Sequence, residues 1–148
     1  MKYTLTALEN DTLIPVEEFI GWLHLLRGIA KMFIAYNDLF TGFQAEVALM
    51  AFIETGLGLF AIYAAGNNTL GLRISAMFGS TVVIFSMMWM TLAHDPDIGR
   101  HLLLFSMYLA MMFFSTASMY RNAVIAERQK KMFEVAERIV KASKGSDG

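Results

Sequence analysis

The chain has no cysteine among its 148 residues, so disulfides, thiolate metal sites, iron–sulfur clusters and CxxC redox chemistry are excluded. Proline is nearly as scarce: Pro15 and Pro96 are the only two, and both lie outside the long apolar runs. Charge is sparse as well. Asp, Glu, Lys and Arg make up 17% of the chain, against about 25% in an average soluble domain. With a net charge of −1 and no basic face on residues 1–120, nucleic-acid binding is excluded. Residues 1–18 carry one Lys against four acids and have no apolar stretch, so no secretory signal is expected. No lipidation motif is expected either, since Lys2 follows Met1 and Gly148 ends the chain.

What is present is apolar. Hydrophobic residues make up 56% of the chain and mean hydropathy is +0.49, which excludes disorder and collagen-like structure. These residues fall in runs, which points to a membrane protein. A bilayer core of about 30 Å needs roughly 20 apolar residues in a helix. Residues 74–93 and 102–120 are uncharged runs of twenty and nineteen. Residues 47–65 are interrupted only by Glu54, and residues 19–36 carry His24, Arg27 and Lys31. The spacing therefore predicts an all-α, four-span bundle over residues 1–120, with spans at about 19–36, 47–65, 74–93 and 102–120.

Pro15 suits a helix start, with Glu17 and Glu18 in the opening turn where the helix dipole favours acids. Gly66-Asn67-Asn68 and Asp95-Pro96-Asp97 read as turns. The connections are short, so neighbouring spans are expected to be antiparallel. Basic residues crowd the end of the fourth span: Arg121, Arg128, Lys130, Lys131, Arg138, Lys141 and Lys144. The positive-inside rule then puts this tail in the cytoplasm, and four spans bring the N-terminus to the same side. Trp22, Tyr36, Tyr63, Trp89 and Tyr120 would form the interfacial aromatic belts.

The tail, residues 121–148, repeats Ile125, Met132, Val135, Ile139 and Ala142 on one helical stripe. It is expected to prolong span four to about residue 144 as an amphipathic basic helix, with a frayed end at 144–148. Two roles suit it: resting on anionic headgroups, or contacting another subunit. Arg121, Arg128, Lys130, Lys131, Arg138 and Lys141 are the expected lipid or partner contacts.

Charges within a span cost roughly 2.5–3.5 kcal/mol each on the insertion scale, so each needs a partner. Lys31 lies about 18 Å from the cytoplasmic edge and Glu54 about 12 Å from the opposite edge, at a rise of ~1.5 Å per residue. In a core of about 30 Å those depths coincide, with Arg27 about 6 Å nearer the cytoplasm. Glu54 is expected to pair with Lys31 or Arg27. His24, Arg27 and Lys31 share one helical face by their spacing, and that face should point into the bundle. Three readings follow: an ion pair fixing the packing, a site for an anionic or quinone-like ligand or a proton, or an interfacial first helix that never crosses.

Other chemistry is thin. His24 and the pair His94 and His101 sit at opposite depths, against haem ligation. His94 and His101 flank one loop and could approach each other as a metal pair, but they equally suit solvated helix ends, and no metal is expected. Met87, Met88, Met90, Met107 and Met111 crowd spans three and four and suit copper as soft ligands. As flexible gap-fillers they also suit packing, which is the role expected of them. The pairs Ser75 and Gly79, Ala76 and Ser80, and Ser115 and Ser118, with Gly56 and Gly58, suit close helix approach. No nucleophile–base set or phosphate loop occurs, so the chain is not expected to be an enzyme on its own.

The segments Leu26-Arg27-Gly28-Ile29-Ala30-Lys31 and Glu54-Thr55-Gly56-Leu57-Gly58-Leu59, with the turn at 69–73 ending in Arg73, resemble the DoxX-like family of four-helix integral membrane proteins over residues 19–120. Some members are subunits of quinone-reducing thiosulfate oxidation, and many have no assigned activity. The resemblance implies that Arg27, Lys31 and Glu54 form the polar site. The charged C-terminal helix and the lack of cysteine depart from the family pattern. Three functions are thus expected: a non-catalytic small subunit of a larger membrane complex, such as a respiratory one, that contacts lipid and other membrane subunits; a quinone-linked redox subunit; or an ion or solute pathway with Glu54 as its buried acid. The expected setting is a bacterial inner membrane.

Overall fold

A computed structural model describes residues 14–37, 45–67, 69–94, 99 and 101–146. It contains four helices: α1 (Ile14–Asn37), α2 (Ala45–Gly66), α3 (Leu70–His94) and α4 (Leu102–Ser146). The all-α expectation holds, and each predicted span falls inside one helix. The Asp95-Pro96-Asp97 turn lies outside the described residues. By length and composition three helices are able to cross a membrane: 47–66 in α2, 70–93 in α3 and 102–142 in α4. The fourth, α1, is long enough at 24 residues, but Glu17, Glu18, Arg27 and Lys31 make it too polar to join them.

Each helix packs on the next in the chain, and α4 closes the ring by a sparser contact with α1. The tightest seam is between α1 and α2, and glycine makes it possible. A Cβ on Gly58 would lie 2.5 Å from the Leu25 nitrogen and 2.8 Å from the Gly21 oxygen. One on Gly28 would strike Thr55, and one on Gly21 would come within 2.8 Å of Ile62. Backbones meet where only hydrogen occupies the space, which maximises dispersion between helices. Of the two glycines expected to serve α2, only Gly58 does so. Gly56 faces open space, because neighbours two apart on a helix point in nearly opposite directions.

The distribution of polarity is inverted relative to a soluble bundle. The buried set includes Glu17, His24, Glu54, Arg73, Ser80, Ser115, Ser118 and Asn122 among alanines and a few larger apolar residues. Phe19, Phe52, Phe78, Phe85, Trp89, Leu103 and Phe113 face outward. Trp22, Tyr63, Trp89 and Tyr120 are exposed; the Tyr36 side chain lies outside the description.

No proline or glycine interrupts residues 102–144, and α4 runs unbroken for 45 residues, about 67 Å at 1.5 Å per residue. It ends at Ser146, so residues 144–146, expected to fray, are helical. Among the residues whose side chains are described, Asn122 is the last buried position, and every residue from 130 to 142 is exposed.

Candidate functional site

α1 carries a polar residue every seventh position: Glu17, His24 and Lys31. α3 repeats the pattern with Arg73, Ser80 and Met87. The two helices run in the same direction, and the steps meet in register, since Glu17 contacts Arg73, His24 contacts Ser80 and Lys31 contacts Met87. Seven residues are nearly two turns, so one face of each helix meets the other at every step. The result is a column of three polar layers along the inside of the bundle.

The middle layers hold the residues singled out from the sequence. Glu54 is fully buried, and the structure brings both candidate cations to it: Lys31 Nζ lies 2.9 Å from Oε2 and Arg27 Nη2 lies 3.4 Å from Oε1. His24 Nδ1 stands 4.0 Å from the same Oε1. Arg27 donates to the Tyr108 hydroxyl at 2.7 Å, and its guanidinium stacks 4.6 Å from the centre of that ring. Charge-assisted bonds and the ring's quadrupole together compensate a cation removed from water. Two cations thus meet one carboxylate. The side chains of Arg27 and Lys31 remain 16% and 26% exposed, and Glu54 reaches the outside only through them.

The methionines also take part. The Met87 sulfur lies 3.3 Å from Arg27 Nη2 and 3.5 Å from Lys31 Nζ, and the Met111 sulfur 3.9 Å from Arg27 Nη1. These two sulfurs act as weak acceptors for cations, a role that the packing and copper readings both missed. Of the others, Met107 is exposed and Met88 half-buried. His101 lies before the start of α4; the His94 side chain is outside the described residues. Among the described residues no group of three metal-binding side chains converges.

The layer at the start of α1 was not foreseen. Glu17, read as a dipole-favoured acid in an opening turn, is buried instead. Its Oε2 accepts from Arg73 Nε at 2.5 Å; its Oε1 accepts from Ser118 Oγ and, at 2.8 Å, from Asn122 Nδ2. Asn122 drew no notice in the sequence, since it lies just beyond an uncharged span. The small residues Ser80 and Ser115 do bring α3 and α4 together, through a hydrogen bond of 3.0 Å, whereas Ser75 faces outward.

Along the tail, exposed pairs link Lys131 to Glu127 and Lys141 to Glu137, each at 2.8 Å. The hydrogen bonds from these lysines, aided by their charge, hold both carboxyls below the usual range. Met132, Val135 and Ile139 form a shallow apolar strip beside Lys131. They are exposed.

Comparison with protein-family models, curated proteins and solved structures gives no match in any of the three.

Proposed function

We propose that this chain is a small, non-catalytic integral membrane subunit that docks on a partner through the projecting end of α4. The membrane setting is supported by the inverted polarity of the bundle, with aromatics and leucines outside and charges inside. An outer surface of that kind suits acyl chains. α1 joins the three apolar helices because its charged face is turned inward onto Glu54 and Arg73, and beyond Glu18 in its first turns the outward residues Phe19, Trp22, Leu26, Ile29, Phe33 and Ile34 are apolar. The cluster of basic residues from Arg121 to Lys144 supports cytoplasmic termini, and the likeness to DoxX-like proteins supports a bacterial inner membrane.

One observation carries the subunit reading. α4 outruns the bundle by about 36 Å from Asn122 to Ser146, at 1.5 Å per residue, and its strip of Met132, Val135 and Ile139 is covered by none of the described residues. A helix continuous with a span and stiff at its base projects away from the membrane plane, which favours a protein partner over headgroups. The test is the native mass of full-length protein extracted in mild detergent, with each co-purifying chain identified. A defined partner is expected, and deleting residues 124–148 should release it while the bundle stays helical. A homogeneous monomer, or a partner retained by the truncated form, would overturn the reading.

A second reading rests on a separate feature. Where α1 and α4 pack sparsely, Phe19, Leu23, Met107, Met111 and Phe114 line an apolar groove of about 500 Å³. Met111 also touches Arg27, so an apolar tail in the groove would bring a polar ring toward Arg27, Lys31 and Tyr108. That arrangement favours a quinone-linked role. Quinone is then expected to co-extract with the purified protein and to fall several-fold in Arg27→Leu. Equal quinone content in both would remove this reading.

A further inference from the structure

His24 occupies an unusual position. It is fully buried, at the meeting point of all four helices. Its Nε2 lies 2.8 Å from Ser80 Oγ on α3, and Ser80 Oγ lies 3.0 Å from Ser115 Oγ on α4. Its Nδ1 faces Glu54 on α2 across 4.0 Å, and Glu54 in turn meets Lys31 at 2.9 Å. Lys31 is the most exposed member of the set. Beyond Ser115, one turn along α4, Ser118 bonds to the Glu17 carboxylate. From Lys31 to Glu17 these groups cover fourteen residues of α1, about 21 Å at 1.5 Å per residue, most of a core of about 30 Å.

Packing alone does not ask for this order. Ser, Thr, Asn, Gln and His all serve as interhelical glue, but glue does not require a buried histidine to face a carboxylate on one side and a pair of linked hydroxyls on the other. Here a ring able to accept a proton on one nitrogen while releasing one from the other stands between a carboxylate and a pair of hydroxyls. Both hydroxyls can donate or accept, so the chain can run in either sense. From Lys31 to Ser115 every group is within, or about an ångström beyond, proton-transfer reach of the next, and a turn of the Glu54 carboxylate closes the longest of these gaps.

We propose that Lys31, Glu54, His24, Ser80 and Ser115 form a proton relay through the core of the bundle. The inference rests on the membrane setting proposed above. The Lys31 ammonium gives a proton to Glu54 Oε2 and is reprotonated from water at its exposed side. The Glu54 carboxyl gives its proton to His24 Nδ1. The Nε2 proton passes to Ser80 Oγ as the Ser80 hydroxyl proton moves to Ser115 Oγ and the Ser115 proton leaves toward Ser118 and Glu17. Glu17 takes up that proton and releases it to water at the N-terminal end of α1, becoming a carboxylate again, and one proton has crossed. Glu54 is again a carboxylate, both serines again carry a hydroxyl, and the imidazole is neutral with its proton on Nδ1 until it returns to the starting tautomer. The charged groups around His24 are Glu54 from α2 and Arg27 and Lys31 from its own helix. α3 contributes Arg73, held by Glu17 one layer away, and α4 has no charged residue before Arg121. Arg27 stays protonated throughout and is a positioning residue, holding Glu54 by Oε1, the oxygen that faces His24.

The experiment reconstitutes full-length protein in liposomes loaded with a pH-sensitive dye, with a potassium diffusion potential set by valinomycin. Proton uptake at least fivefold above protein-free vesicles is expected. Ser80→Ala, which leaves every ion pair in place, should lower it about tenfold, and His24→Gln and Glu54→Gln should lower it to background. Each variant is compared at equal native mass and helix content. Ser80→Ala is the deciding variant if the others fail to fold. Inserted protein with no flux above background, or Ser80→Ala conducting like the unaltered chain, would overturn the relay alone. Protein that does not float with the vesicles at alkaline pH would overturn the membrane setting and the relay together.

Discussion

Replacing Arg73 by leucine is expected to destabilise the bundle by about 3–5 kcal/mol, the range found when one partner is removed from a buried ion pair. Arg73 and Glu17 are both fully enclosed, and Ser118 and Asn122 would remain pointing at a carboxylate with no cation. Leucine fills much of the space, so the loss is electrostatic and not a cavity effect. The double variant Glu17→Gln/Arg73→Leu separates the two. Glutamine keeps an oxygen for Ser118 and Asn122 while removing the charge, and most of the lost stability should return. Thermal unfolding in detergent, followed by helix content, checks this. If the double variant is as unstable as Arg73→Leu, the layer is held by shape and the ion-pair account of it is wrong.

The second large effect is expected at Gly58. Its Cβ would fall 2.5 Å from a backbone nitrogen and 2.8 Å from a backbone oxygen of α1. Neither is the end of a flexible side chain, so a whole helix must shift. Overpacking typically costs about 1–3 kcal/mol and occasionally more. Gly58→Ala belongs at the upper end, because moving α1 outward also lengthens the contacts of Lys31 and Arg27 with Glu54. Gly56→Ala is the matched control. It faces open space, and alanine is favoured over glycine in a helix by about 1 kcal/mol, so it should be neutral or mildly stabilising. The same melting experiment on both variants decides the point. Equal melting temperatures would contradict the close approach of α1 and α2.

The helices were legible because apolar runs in this chain are long and the turns between them are marked by Gly, Asn, Asp and Pro. The meeting of Glu54 with Lys31 and Arg27 was legible from depth alone: neighbouring antiparallel spans and a fixed rise place charges at known heights. The Glu17 layer was not. A first-turn glutamate already has a local explanation in the helix dipole, and Arg73 follows a turn where a basic residue commonly reaches for the interface. Their pairing joins α1 to α3, which are not consecutive, so neither hydropathy nor loop length points to it. The usable signal was the heptad step of polar residues 17, 24 and 31 in α1 against 73 and 80 in α3, which marks two faces that match only when laid side by side. For the glycines, sequence names the candidates, but only helical phase decides between Gly56 and Gly58.

The proposed membrane setting requires that α1, despite its charges, cross the bilayer with its polar face enclosed by the other three helices. The absence of cysteine makes a direct test clean. Single cysteines introduced as Thr4→Cys, Thr41→Cys and Ala142→Cys are labelled in intact cells and in inverted vesicles with a membrane-impermeant maleimide. The account predicts that positions 4 and 142 label together from the cytoplasmic side and position 41 from the opposite side. Labelling of positions 4 and 41 from the same side would mean that α1 lies on the membrane surface, and the polar column would lose its place inside the bilayer.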